Sequence, residues 1–193
     1  DSTNIGRILD TLRTESLLKS GQQYSLQKLQ AERERINKEL KNRGYFFFSP
    51  EHLHIEADST VGQKRLNLFI EIDKGIPKEA ATAFQMKNIF IYPNYHLDDR
   101  SESDRQDTLK KNGHTYIGYD ENNRFRPVVL RKSIFLEPGE KYSRHAHDMS
   151  LNRLMGLGAF KFVDIRFSKS DSSASSNFLD ADVYITPMKK KTL

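Results

Sequence analysis

The sequence predicts an α+β chain built as two tandem units, each closing in the order helix, helix, strand, strand. Three observations predict it: an internal repeat, a glycine stop set twice between a helical stripe and an alternating strand, and a serine set twice where a second helix must begin. The stretch that shows this best is "NRLMGLGAFKFVDIRF", Asn152 to Phe167, which holds a helix end, a glycine and a strand. A strand reading precedes the helices only in the second unit, so the order expected there is β-α-α-β-β, with the first strand of domain one absent. The domains are placed at residues 1–76 and 77–193.

The repeat is read by eye from three pairings. "LLKSGQQYS" (17–25) lies over "FLEPGEKYS" (135–143), matching Leu18 with Leu136, Gly21 with Gly139, Tyr24 with Tyr142 and Ser25 with Ser143. "LKNRGYFFF" (40–48) lies over "LMGLGAFKF" (154–162), and "LNLFIEI" (66–72) over "LDADVYI" (179–185). The first unit is four residues longer between its serine and its helix-ending glycine. That is about one helical turn, which keeps the apolar stripe on its face.

Element by element, a first helix is expected to end near Gly21 or Gly139, because glycine tolerates the left-handed conformation of a helix stop. Pro127 suits a first helical turn. Ser25 and Ser143 are placed as N-caps. Leu29, Ile36 and Leu40 form the apolar stripe of one second helix, with Glu32, Arg33, Arg35 and Lys38 around the rest; Leu151, Leu154 and Leu157 form the other stripe. Gly44 and Gly158 end these helices. Period-two alternation then follows, with Leu53, Ile55 and Ala57 on one face against His52, His54 and Glu56, and with Leu66, Leu68, Ile70 and Ile72 on the next strand. In the second unit the inward sets are Val163, Ile165 and Phe167, then Leu179, Ala181, Val183 and Ile185.

The extra strand is "AFQMKNIFIYP", 83–93, whose apolar phase shifts between Met86 and Ile89 and so predicts a bulge. A charged insertion loop is expected over about 94–114, a short strand over "TYIGYD" (115–120) and a Ser-rich hairpin loop over 168–177. "DKGIPKEAAT", 73–82, reads as a short link between the units. The chain opens in a helix-like pattern, which reads as truncation at the N-terminus.

Composition narrows the function. The chain has no cysteine, which excludes zinc ribbons, disulfide frameworks and thiol catalysis. Its net charge of +5 invites a nucleic-acid reading. However, residues 1–76 hold 12 Lys+Arg against 11 Asp+Glu, and residues 77–193 hold 19 against 15, three of the cations being Lys189 to Lys191. Mixed signs of this kind describe a solvated surface rather than a phosphate track.

The motif resembles the POTRA domain, the periplasmic repeat of the Omp85 outer-membrane protein assembly family. Its signature is a helix ending L-x-x-L-G-x-F and then a strand v-x-i-x-f, here Leu154, Leu157, Gly158, Phe160, Val163, Ile165 and Phe167. The turn Pro138–Ser143 is similar to the family's inter-helix turn. The ending "VYITPMKKKTL" is similar to the stretch that leads into a membrane β-barrel, most like lipoprotein-type relatives. The likeness covers about 150 residues, stronger in the second unit. In the first, Tyr45 and three phenylalanines crowd the next strand and Pro50 interrupts it.

The resemblance implies tandem POTRA-like domains, each a three-stranded mixed sheet covered by two helices. It also implies a monomeric, non-enzymatic polypeptide-binding scaffold without cofactor, on the periplasmic side of the Gram-negative outer membrane. The partners implied are unfolded outer-membrane protein clients and accessory assembly subunits, beside a β-barrel C-terminal to this segment. In this family the strand after the second helix is a sheet edge. The resemblance therefore implies client-binding edge strands at Phe162, Val163, Asp164, Ile165, Arg166 and Phe167, and at Leu53, His54, Ile55 and Glu56.

Rival chemistries are weaker. His145 and His147, two apart, cannot share a metal on a helix, where such residues diverge by about 200°. His114 could join them only on a turn or strand. His52, His54 and Glu56 share a strand face without a further ligand nearby. No nucleotide loop or Ser/His/Asp set is present. A small RNA-binding α+β module is the alternative, with Phe46, Phe48, Phe69, Phe162 and Tyr184 as stacking candidates.

Overall fold

The computed structural model describes residues 2–62, 65–95, 108–111, 113–118, 125–170 and 177–188. The chain divides into two compact units, Asp1–Ala83 and Phe84–Leu193. The boundary lies beyond residue 76 because Ile76, Ala81 and Ala83 pack on the core of the first unit. The segment expected as a link is thus part of that unit.

In the first unit helix α1 (Ser2–Leu12) packs on helix α2 (Leu26–Asn42), and strands β1 (Leu53–Asp58) and β2 (Asn67–Ile72) form an antiparallel pair. Ile5, Ile36, Leu40, Tyr45, Phe48 and Leu53 are the buried centre. Ser25 caps α2 through its hydroxyl, which accepts the Lys28 N–H at 3.4 Å. Gly44 follows α2 at φ +102°, a conformation that favours glycine. The first helix ends at Leu12 and continues as one 3-10 turn to Glu15, well before Gly21. Gly21 instead sits at φ +78° in the turn that leads to Ser25. The strand crowded by phenylalanines does not start at Gly44 either. Pro50 opens a 3-10 turn, and β1 begins only at Leu53.

Glu32 departs from its expected place on the polar side of α2. It lies on the stripe 29–32–36–40, is 1% exposed, and accepts Arg35 Nη2 at 2.7 Å, Arg35 Nε at 2.9 Å and the Leu17 N–H at 2.9 Å. Arg35 Nη2 also donates to the Leu12 carbonyl at 3.0 Å. One ion pair therefore ties both ends of the irregular segment 13–17 to α2. That segment lacks a ladder of its own, so the pair supplies its backbone partners.

The second unit is a five-stranded sheet in the order β4-β5-β3-β7-β6, formed by β3 (Gln85–Tyr92), β4 (Thr108–Lys111), β5 (His114–Ile117), β6 (Phe160–Lys169) and β7 (Phe178–Pro187). Helices α3 (Pro127–Arg131) and α4 (Arg144–Gly156) belong to this unit. The chain is α+β as expected, but this sheet has five strands rather than three. Part of the expected insertion loop folds: β4 pairs antiparallel with β5, which itself runs parallel to β3 at Phe90 and Ile91. Residues 96–107, the loop 171–176 and the tail 189–193 lie outside the described residues.

The bulge read from the phase shift is present between Met86 and Asn88, and Asn88 fills it by donating from its N–H and side-chain amide to Asp180 Oδ1, at 3.1 and 2.8 Å. Beyond it Ile89 and Ile91 are buried with Leu179, Ala181, Val183 and Ile185. Helix α3 ends at Arg131, eight positions short of Gly139. Residues 139–142 are used differently. Gly139 N–H donates to Met86 O at 2.7 Å, Met86 N–H to Glu140 O at 2.8 Å and Tyr142 N–H to Phe84 O at 3.0 Å. Gly139 adopts φ +87° there.

Ser143 caps α4 and accepts the Ala146 N–H at 3.3 Å. Leu154 is fully buried, Leu151 half-buried and Leu157 exposed; Ser150 takes the remaining buried position, its hydroxyl donating to Ala146 O at 2.7 Å and accepting the Phe135 N–H at 2.8 Å.

Two outcomes test this account. Glu32→Ala should cost about 2–3 kcal/mol in urea unfolding, because it leaves Arg35 without its counter-ion. The hydrogen bonds from Arg35 and Leu17 outweigh burial and hold the Glu32 carboxyl below its ordinary 4.5. Its contribution is present above pH 4.5 and disappears as pH falls through the lowered value, so Glu32→Gln should flatten the acid limb of the stability profile. Gly158→Ala should cost about 1 kcal/mol by strain at φ +63°, whereas Gly156→Ala, in the last helical turn with open space, should not destabilise.

Candidate functional site: the open edge of the second sheet

Strand β6 is ten residues long, ends the sheet order and, among the described strands, pairs with β7. The opposite end is closed differently. Strand β4 is four residues and carries Lys110 and Lys111, features that discourage further pairing. The long open edge of this unit, among the described residues, is therefore β6.

Its side chains divide by face. Ile165 is buried, and Val163 and Phe167 are half-buried on the side of α4. Phe167 meets Tyr142 edge-on at 5.1 Å and His147 edge-on at 5.2 Å, between ring centroids. Phe162 and Asp164 are half-buried and Arg166 is exposed. Arg166 Nε donates to Asp164 Oδ2 at 2.8 Å and its guanidinium lies 4.8 Å above the Tyr184 ring. Tyr184 in turn stacks on Tyr92 at 4.8 Å, so the helix-free face of the sheet has an aromatic layer capped by Arg166. A strand added beside β6 would alternate between the apolar α4 seam and the Asp164–Arg166 pair.

Strand β1 is the first-unit counterpart. It pairs with β2 and with no other described strand. Leu53 is buried, Ile55 half-buried, and His54 and Glu56 are exposed with Nε2 and Oε1 3.6 Å apart. Ala57, expected on the inward face, is exposed. The Leu53 carbonyl already accepts Arg33 Nη2 at 2.9 Å, which removes one acceptor from a docking strand. The edges of β1 and β6 are thus unequal in length and in what they offer.

The histidines do not share a place. His145 is exposed, while His147 is largely buried against Phe167 rather than set on an open helix start. Among the described residues no group of three or more His, Asp or Glu is placed to hold a metal. Burial pushes His147 below its ordinary 6.5, with Asp148 opposing. Burial likewise pushes the Tyr142 hydroxyl up to about 12. The stacking candidates are also scattered. Phe48 is in the first-unit core, Phe69 is exposed on β2, and Tyr184 lies beneath Arg166. Asp164, Asp180 and Asp182 alternate with the aromatics on the helix-free face, a poor setting for phosphates.

Residues 9–75 match the POTRA family profile, described as a surface antigen variable number repeat. The match falls on the unit where the residue-level likeness was weaker. No curated protein matches the sequence. Over 95% of its length the chain is similar in fold to BamA from Haemophilus ducreyi lacking POTRA domains 1–3, with a TM-score of 0.62 and 15% identity, and it spans 27% of that chain. POTRA1–3 of the periplasmic domain of Omp85 from Anabaena is also similar at 15% identity, with a TM-score of 0.40; the likeness covers 88% of this chain and 54% of that one. In the first unit and in the second alike, the strand that follows the capped second helix stands at an edge.

The α4–β6 seam carries a pH prediction. The fold favours neutral His147, so its contribution is complete above pH 6.5 and is lost as pH falls through the depressed value. Phe167→Ala opens the imidazole to water and should move its midpoint up towards 6.5, as followed by proton NMR of the ring. An unchanged midpoint would mean that Phe167 does not bury it.

Proposed function

We propose that this chain is a non-enzymatic, polypeptide-binding scaffold segment, on the periplasmic side of the outer membrane, of an Omp85-type β-barrel assembly or translocation protein. The observation that carries the reading is the geometry of β6: a ten-residue edge beside an apolar seam, in a unit whose other edge is short and lysine-bearing. Such an edge accepts an extended chain through backbone hydrogen bonds, which tolerate many sequences, while the pleat selects alternate side chains. Apolar residues would meet Val163, Ile165 and Phe167, and polar ones Asp164 and Arg166. Transmembrane β-strands have this alternation, so unfolded barrel precursors are the client class, with accessory subunits docking elsewhere. The family match over 9–75 and the BamA-like fold support this placement. The Pro187–Met188 ending is the residue-level ground for a lipoprotein-type relative.

The test is a backbone amide titration with an alternating barrel-strand peptide and, separately, with single-stranded RNA. Shifts over 162–167, with a weaker set over 54–56 and RNA inert, are expected. Asp164→Pro or Arg166→Pro should abolish the peptide shifts, the fold being checked by the β7 amides. Binding that survives either proline with the fold intact would reject edge addition, and salt-sensitive RNA shifts on the aromatic face would favour a nucleic-acid module.

A further inference from the structure

The helical stretch of the second unit carries more cations than carboxylates. From Arg126 to Gly158 the chain holds six Lys or Arg against three Asp or Glu. Two of the carboxylates are taken, Glu137 by Arg131 at 3.2 Å and Asp148 by Arg144 at 2.9 Å. Arg126, Lys132 and Arg153 are exposed and have no carboxylate partner among the described residues. On the helix-free face, by contrast, Asp164, Asp180 and Asp182 stand with Arg166 and Lys110, and Arg166 is bonded to Asp164, so the signs there are close to balanced.

Apolar side chains stand among those cations. Leu130, Ile134 and Leu136 are buried, so Val128, Val129 and Phe135, at 46%, 39% and 39% exposure, point the other way. The hydrogen bond from Phe135 N–H to Ser150 Oγ sets Phe135 alongside α4. Met149, 37% exposed, adjoins Ser150 there, and Arg153 lies one turn on. Core formation would bury such residues and solubility would remove them. Single apolar projections between cations are the composition of an interfacial surface, where cations meet anionic headgroups and apolar tips enter the acyl boundary.

We propose that this helical face docks onto an anionic lipid surface, with Lys132, Arg153 and Arg126 at the headgroups and Phe135 and Met149 in the interface. The inference rests on charge and exposure in the second unit and does not depend on the strand-accepting role of β6. Charge complementarity selects the occupant: a zwitterionic surface would leave the cations unanswered.

The test is co-sedimentation of the whole chain with phosphatidylcholine vesicles, with and without about one third phosphatidylglycerol. Binding to the anionic vesicles alone, falling with added salt, is expected. Lys132→Glu and Arg153→Glu should each lower partitioning by roughly fivefold or more, and Phe135→Ser with Met149→Ser should weaken it further. Circular dichroism checks that these surface variants fold. Replacing Lys189, Lys190 and Lys191 by Ser separates the tail: binding should persist. Binding that vanishes with the tail lysines, that ignores both charge reversals, or that is equal on phosphatidylcholine alone would overturn the proposal.

Discussion

A sheet edge is a row of unpaired backbone donors and acceptors, and how β3 loses its own governs the second unit. On one side β3 runs parallel to β7. On the other, its start is bonded by residues 139–142 and its end by β5. Neither closure uses side-chain chemistry, so each depends only on chain placed at the right distance. The consequence is directional: with β3 enclosed and β4 short, the long edge among the described strands falls to β6. The Gly139 turn is the smallest part of this arrangement, because φ +87° lets the chain turn onto the β3 edge, which it follows to Tyr142 before entering α4 after Ser143.

The first unit follows the same plan with less cover. Strand β2 has one partner among the described strands, and Leu68, Ile70 and Ile72 remain half-exposed. The corresponding β7 residues, Ala181, Val183 and Ile185, are fully buried between two neighbours. The same alternation therefore yields different burial according to what lies beside it. In place of a third strand the first unit relies on α1, on Ile76 and Ala81 folded back from the joining segment, and on the Glu32–Arg35 pair.

What was legible in the sequence was local. The serine caps and glycine stops depend on the few residues around them, and Ser25, Ser143, Gly44 and Gly158 sit where spacing put them. Period-two alternation likewise located β1, β2, β6 and β7, and a phase shift located the bulge. Tertiary placement was not legible. Tyr24 and Tyr142 occupy matched positions, yet one is 51% exposed and the other 2%, because only Tyr142 is drawn against β3 and Phe167. Glu32 has the chemistry of a surface residue and is buried because the segment 13–17 needs an acceptor. Strand β4 hid in a polar stretch because its pairing with β5, not its hydrophobicity, makes it a strand, whereas β5 overlaps the short strand expected over 115–120. For the candidate site, the edge residues were readable from the motif, whereas the Arg33 contact on Leu53 and the burial of His147 were set by elements distant in sequence.

The central claim is that β6 offers its outer edge to an extended chain. Residue-resolved amide hydrogen exchange over 160–169 tests it most directly. The free chain should show alternation, with amides bonded to β7 exchanging slowly and outward ones quickly. Addition of an alternating strand peptide should protect the outward set alone. Uniform protection in the free chain, or no gain in protection on saturation with peptide, would contradict the account.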